Sequence, residues 1–396
     1  MNWLAILLFI DAGMGTSIPF NNIYGNFSII DIVVILGILL YGLKQRKKIH
    51  IRNESFKIAT IYFLFAICQL IAIILAQNNM LQALGPVARN IYYALLFVFL
   101  APAVDDYPKY EFLIKAFILG ISINMLNVLY LWSLNKTYIG SFMYLNNGLI
   151  NRNVVYYYSV ISIVFINHII NISKMKSTKY LFGMVLILVT IVSLLTFSKG
   201  AWLLLIVAYI LSLRIAFIKS SIARKIIILI TLISMGVLIN YYGISSQFYD
   251  TKVQNYSYEE DARLDYKIFA LETAIKHPMG IGPKNYKEYT SKYAPHPSTT
   301  DPHDAALTVL VDSGIIAFML YIYLQYIYIK KIIKFKMNEN KLKLKYITSG
   351  LLINCYIVYF LLSLLTGMVF TSKLSLVVGF LIISSSNIQK NYIMKL

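Results

Sequence analysis

The chain is poor in the residues that most catalytic and metal-binding chemistries require. In 396 residues it has two cysteines, five histidines and seventeen acidic side chains. Cys68 and Cys355 both sit inside apolar runs, which argues against a disulfide framework and reads as small buried side chains. No cluster of His, Cys and carboxylate residues recurs at metal-ligand spacing, so no metal and no other cofactor is expected. There is no P-loop and no GxSxG, and Gly280-Ile281-Gly282 is too short to hold a nucleotide. Charged residues make up only 13% of the chain, which excludes an ordinary soluble globular protein.

Apolar sequence is what the chain has in quantity. Hydrophobic residues make up 59% and the mean hydropathy is +0.68. Apolar runs bounded by charge recur along the length, as a helix spanning ~30 Å of hydrocarbon requires. The first run starts at Met1 without a basic leader and carries Asp11, so it reads as a span and not as a cleaved signal. The runs predict spans near 2–20, 28–43, 57–76, 83–104, 110–132, 152–171, 179–197, 200–218, 225–242, 303–329, 346–366 and 373–389. The expected fold is therefore an all-α polytopic membrane protein of about twelve transmembrane helices, with 1–396 forming a single membrane domain.

The net charge of +19 does not point to nucleic acid. Twenty of the 36 basic residues lie in four alternate loops: Lys44–Lys57, Lys174–Lys179, Arg214–Lys225 and Lys330–Lys345. That is the positive-inside pattern, and it places both termini and the basic loops in the cytoplasm. The segment 243–302, between the ninth and tenth spans, then falls outside as one large extracytoplasmic loop.

This loop and its return into the next span hold most of the polar chemistry. Gly243 to Asp304 contains His277, His296 and His303, five of the nine prolines and nine of the seventeen acidic residues. Glu260 to Lys276 predicts an amphipathic helix with Leu264, Ile268, Leu271 and Ile275 in one stripe, able to lie on the outer leaflet. His277-Pro278 stops it. His277 and His296 flank prolines and read as solvated. The next helix is expected to begin with Asp301 as N-cap, Pro302 in the first helical position and Asp304 answering from the third. That puts His303 in the first turn at the membrane surface, as a candidate general base; an ordinary interfacial side chain is the other reading of this position.

Arg263 opens the loop helix with a fork that suits diphosphate oxygens, although taken alone the position reads first as a solvated surface charge. Arg89, Arg152 and Lys199 are cations at or inside the outer ends of spans, outside any basic loop. Charge in such places is costly and marks a site unless it snorkels to the headgroups. Converging on one face, these cations suggest a pocket for an anionic lipid headgroup.

The ordered set TFSKGAW, DAR…HPMGIGPKNY and PHDAALTVLVDSGII resembles the O-antigen ligase and polymerase superfamily of bacterial envelope glycosyltransferases. The resemblance covers about 150–330 by motif and the whole chain by topology. Ligases carry His, then Asn, Ser or Gln, then nine residues and Gly-x-x-Gly; here His303 and Gly314 match, while Asp304 and Ala317 depart. Ser198-Lys199-Gly200 stands where the family has a Ser-Arg-Gly-like element, and Arg263 matches its loop arginine. The resemblance implies glycan transfer from undecaprenyl diphosphate to a sugar hydroxyl of a glycan or glycolipid acceptor, at the bacterial inner membrane. His303 and Arg263 would be catalytic and Arg89, Lys199 and Arg152 substrate-binding, with membrane lipid as a further partner. A ligase acting on lipid A core is the leading expectation, a polymerase adding to lipid-linked glycan the next, and a flippase or other transporter a more distant one.

Overall fold

The computed structural model describes residues 2–14, 28–44, 53–76, 80–135, 152–194, 199–217, 264–294, 302–342, 348–365 and 373–393. Among these residues every regular element is a helix. They are α1 (Asn2–Met14), α2 (Ile29–Lys44), α3 (Asn53–Ala76), α4 (Met80–Phe99), α5 (Tyr107–Asn135), α6 (Arg152–Ile172), α7 (Lys176–Leu194) and α8 (Lys199–Phe217). After these come α9 (264–276), α10 (Tyr286–Tyr293), α11 (Ala305–Leu342), α12 (Ser349–Leu365) and α13 (Lys373–Ile393).

Every span read from the sequence has a helix at its place except 225–242, which lies outside the described residues. Six helices are long and apolar enough to cross a bilayer: Asn53–Ala76, Ala83–Ala103, Tyr107–Tyr130, Val155–Ile172, Lys176–Leu194 and Ala305–Glu339. Asn2–Met14, Ile29–Tyr41, Trp202–Ser212 and Ser349–Leu365 are apolar but shorter than a straight crossing. Helix length and composition thus support six spans among the described residues.

Burial orders these helices. α6 is central, with 78% of its apolar window buried, and α7 is peripheral, with 22%. A helix that is apolar all round belongs inside, whereas α7 turns Leu181, Met184, Ile187 and Ile191 outward, as a lipid-facing surface does. α1 and α5 meet backbone to backbone, because a Cβ on Gly13 or Gly120 would strike the main chain opposite. Asn90 Nδ2 donates to Gln69 Oε1 at 2.9 Å, a buried polar tie between α4 and α3.

Ion pairs fix which helix ends lie together. Glu54 near the start of α3 takes Lys331 of α11 at 2.6 Å and Lys390 of α13 at 3.1 Å. The opposite end therefore collects the C-terminus of α3 and the N-termini of α11 and α13. There Lys373 bonds Asp11 of α1 and Asp31 of α2, the latter at 2.7 Å, and Ser28 Oγ donates to Asp11 at 2.9 Å. The two aspartates are 0% and 1% exposed.

α11 is broken near its start. Gly314, at φ 82° and ψ 179°, interrupts the helix, and the segment after α9 fills the gap. Ile281 and Gly282 donate N–H bonds to the carbonyls of Val311 (2.9 Å) and Asp312 (3.0 Å). Ile315 donates its N–H to Pro278 O at 2.9 Å. Groups that a helix break would leave unpaired are thus satisfied by the turn. The approach is possible because Gly280 and Gly314 face each other's backbone. A Cβ on Gly280 would lie 2.7 Å from Asp312 O, and one on Gly314 would lie 2.5 Å from Met279 C. The glycines of HPMGIGP therefore serve this junction. Gly314→Ala should cost at least about 1–3 kcal/mol through backbone strain alone, read as a lower melting temperature of the detergent-solubilised chain. An unchanged melt would show that the junction yields without strain.

Candidate functional site

α9, the turn 277–285 and α10 form a small cap over the α3 and α11 ends. Ala270 and Ala274 of α9 bury against Ile281, Tyr286 and Val311, and Tyr286 OH donates to Tyr266 O at 2.9 Å. The stripe Leu264, Ile268, Leu271 and Ile275 points the other way, 47–80% exposed. The amphipathic helix is where the periodicity put it, but it docks by its small residues and keeps its aliphatic stripe outside. His277 ends α9, as expected, yet its ring is held: Nε2 lies 3.0 Å from Tyr289 OH.

Asp304 caps α11. Its Oδ1 accepts the backbone N–H of Ala306 (2.9 Å) and Leu307 (3.1 Å), while Asp301 lies outside the described residues. His303 therefore precedes the helix instead of occupying its first turn. It adopts φ 54°, a left-handed backbone that histidine tolerates better than most residues, and it is half-buried. Asp304 also lies 3.8 Å from Lys267 of α9, so its carboxylate is engaged in capping and in a cap-to-span ion pair. These contacts account for Asp304 without any orienting role on His303.

Arg89 lies in α4, and the structure gives it a neighbour that the sequence does not reveal. Val87 packs with Ile73 of α3, and Gly282 comes so close to Ile73 that a Cβ there would be 3.6 Å from its Cα. Arg89 and Lys284 stand two residues further along these two contacting segments. Partial burial, followed by the Arg89 guanidinium, pushes the Lys284 pKa below that of an ordinary lysine. Lys284 takes a left-handed φ of 65°, so the turn carries a bulky residue where glycine would be easier. Among the cap carboxylates, Glu288 bonds Lys292 at 2.8 Å and Asp304 lies 3.8 Å from Lys267. Two cations within electrostatic reach of each other raise the positive potential that an anion would meet.

Arg89 also lies within electrostatic reach of the buried Tyr93 and Tyr158, and both tyrosines reach Asp31 as well. The Asp11–Asp31–Lys373 cluster thus adjoins the cation site inside the bundle. Arg152 is the first residue of α6 and Lys199 the first of α8. The side chains of both lie outside the described residues, as does all of Arg263, which immediately precedes the described start of α9. Among the described residues no group of His, Cys, Asp and Glu could hold a metal.

These features define a polytopic helical membrane protein with cations and a histidine gathered at one end of its bundle, beneath a small folded cap. Residues 182–322, which contain Lys199, Arg263, Lys284 and His303, match the family described as O-antigen ligase. That match supports a relation to the O-antigen ligase and polymerase superfamily over this segment. No curated protein matches it. The matched family implies a glycosyl-transfer class of activity, with lipid-linked glycan and acceptor as substrates in general.

Proposed function

We propose that the protein transfers a glycan from undecaprenyl diphosphate to a sugar hydroxyl on the outer face of the bacterial cytoplasmic membrane, as an O-antigen ligase does with lipid A core. The observation that carries this reading is the Arg89–Lys284 pair, held beside the cap of the segment that matches the family. In this reading the basic ends face the cytoplasm with both termini, and the 243–302 loop with its cap faces outward. Arg89 and Lys284, with Arg263, Lys199 and Arg152 completing the site, bind the diphosphate. His303 removes the proton from the acceptor hydroxyl as its oxygen attacks the anomeric carbon. The carbon–oxygen bond to the diphosphate breaks, and the leaving group departs with the electron pair. Attack opposite the leaving group inverts the anomeric centre. Cations opposing the developing charge on a diphosphate can do this work without a metal.

The experiment is reconstitution of the full chain with undecaprenyl-diphosphate-linked glycan, offering lipid A core and lipid-linked glycan as rival acceptors. Glycan on lipid A core is expected. Elongation of lipid-linked glycan instead would make the protein a polymerase of the same superfamily. Transfer to neither acceptor would overturn the reading.

A further inference from the structure

The span next to the cap fixes the depth at which the cap meets the membrane. α3 carries no charge from Ile58 to Ala76, a run of about 29 Å at 1.5 Å per residue, which is the thickness of a hydrocarbon core. Lys57 and the Glu54 ion pairs mark its charged end, so the far boundary of the hydrocarbon falls close to Ala76. Ile67, Ile71, Ile74 and Leu75 are 37–64% exposed along this run, the face that α3 turns to lipid.

The end of α9 and the turn after it lie against that face. Leu75 and Ala76 share the wall of one cavity with Lys276 and His277. Pro278 and Met279 share a narrow apolar groove with Cys68 and Ile71 of α3 and with Ile315 and Ile316 of α11. Ile71 and Cys68 precede Ala76 by about 8 and 12 Å along the helix axis. Lys276 is therefore level with the hydrocarbon boundary, and Met279 reaches below it.

α9 descends to this point. Lys267 near its start pairs with Asp304 at the N-terminus of α11, whereas Ile281 and Gly282 beyond its end bond Val311 and Asp312. The two segments thus run side by side in the same direction, into the bilayer. The stripe Leu264, Ile268, Leu271 and Ile275 lies on the outward side, and Met279, 39% exposed, continues it. Asp265, Glu272 and Lys276 are exposed beside the stripe, where they can reach the headgroups.

The backbone of the turn fits the same depth. Irregular chain at hydrocarbon depth is tolerated only where its polar groups are paired within the protein. The N–H groups of Ile281 and Gly282 and the carbonyl of Pro278 are all bonded to the broken start of α11, and Gly280 N–H donates to His277 O at 2.9 Å. Pro278 has no N–H to leave unpaired. A turn standing in water needs none of these arrangements.

We propose that residues 264–282 form a shallow re-entrant element, which enters the leaflet on the cap side with the α9 stripe and Met279 against acyl chains. The partner is the lipid of the bilayer itself. A helix lying flat on the surface would hold its four aliphatic residues at one depth; here depth increases from Leu264 to Met279. None of this depends on the transfer reading. The test uses the full chain in phosphatidylcholine nanodiscs, with Cys68→Ser and Cys355→Ala clearing the native thiols. One nitroxide at a time is carried on Ile268→Cys, Glu272→Cys, Ile275→Cys or Met279→Cys. Relaxation by oxygen, which enters hydrocarbon, and by a water-soluble nickel chelate reads the depth of each label. The labels at 275 and 279 should favour oxygen, with 279 the deepest at about 5–10 Å below the headgroups. The label at 268 should be shallower than that at 275, and the one at 272 should favour nickel. A second measurement needs no substitution: a phospholipid carrying a diazirine in its acyl chain should crosslink the native protein within 271–279. Nickel-dominated relaxation at both 275 and 279, equal depth at 268 and 279, or acyl-chain crosslinks confined to other segments would overturn the proposal. So would dipolar coupling between labels of two copies at these positions, which would put a second chain where lipid is proposed.

Discussion

Lys373→Ala is expected to destabilise the protein by about 3–5 kcal/mol, a large share of the stability of an ordinary domain. Lys373 is 14% exposed and is the one ammonium between two carboxylates that are almost wholly buried. Removing it leaves both aspartates without their counter-charge in a low-dielectric interior, and a buried charge stripped of its partner is far more costly than a missing contact. Three helices meet at this cluster, α1, α2 and α13, so the loss is shared by all of them. Thermal melting of the purified chain, followed by size-exclusion of what stays monodisperse, measures the effect. The triple variant Lys373→Ala, Asp11→Asn, Asp31→Asn removes the stranded charges and should recover much of the loss. If Lys373→Ala alone melts like the native chain, the cluster does not hold these helices together.

His303→Ala should reduce glycan transfer by roughly 10²–10⁴-fold, the usual contribution of a positioned general base, with little change in melting temperature. The residue lies outside the helix that Asp304 caps, so its removal breaks no helical hydrogen bond. Its left-handed backbone complicates an alanine, which tolerates φ 54° less well. His303→Asn separates the two effects, because asparagine accepts that backbone but cannot act as a base near neutral pH. Equal loss in both variants, with native melts, is the expected result. Transfer by His303→Asn at the native rate would remove His303 from the chemistry and leave it a backbone role.

The helices are legible in the sequence because apolar runs of span length have few other ways to satisfy their backbone groups. The cap helix is legible because its stripe repeats at helical spacing. What periodicity does not supply is the face that docks: Ala270 and Ala274 pack against Ile281, Tyr286 and Val311, and the aliphatic stripe stays exposed. The cap of α11 lies three residues beyond the one the sequence suggests. Asp301-Pro302 satisfies the same capping rules as Asp304, and only the left-handed turn at His303 decides between them.

Lys284 is invisible in the sequence because it is one lysine in a polar turn, and its meeting with Arg89 depends on Gly282 reaching Ile73. Asp11, Asp31 and Lys373 do leave a signal, each a charge within the end of an apolar run. For Asp11 that signal names no partner, because Lys373 lies 362 residues away in the chain. Arg89 is legible for that same intramembrane signal, and it stands between the buried cluster and the cap.

The junction at Gly314 has a mechanical consequence. Three backbone hydrogen bonds and two glycines in mutual contact weld residues 278–282 to the broken end of α11. A part joined in this way cannot swing as a door on the span beneath it, because any rotation would shear those bonds first. On the transfer reading, the route this leaves for a lipid-borne molecule is the plane of the bilayer, with the cap staying in place as it passes.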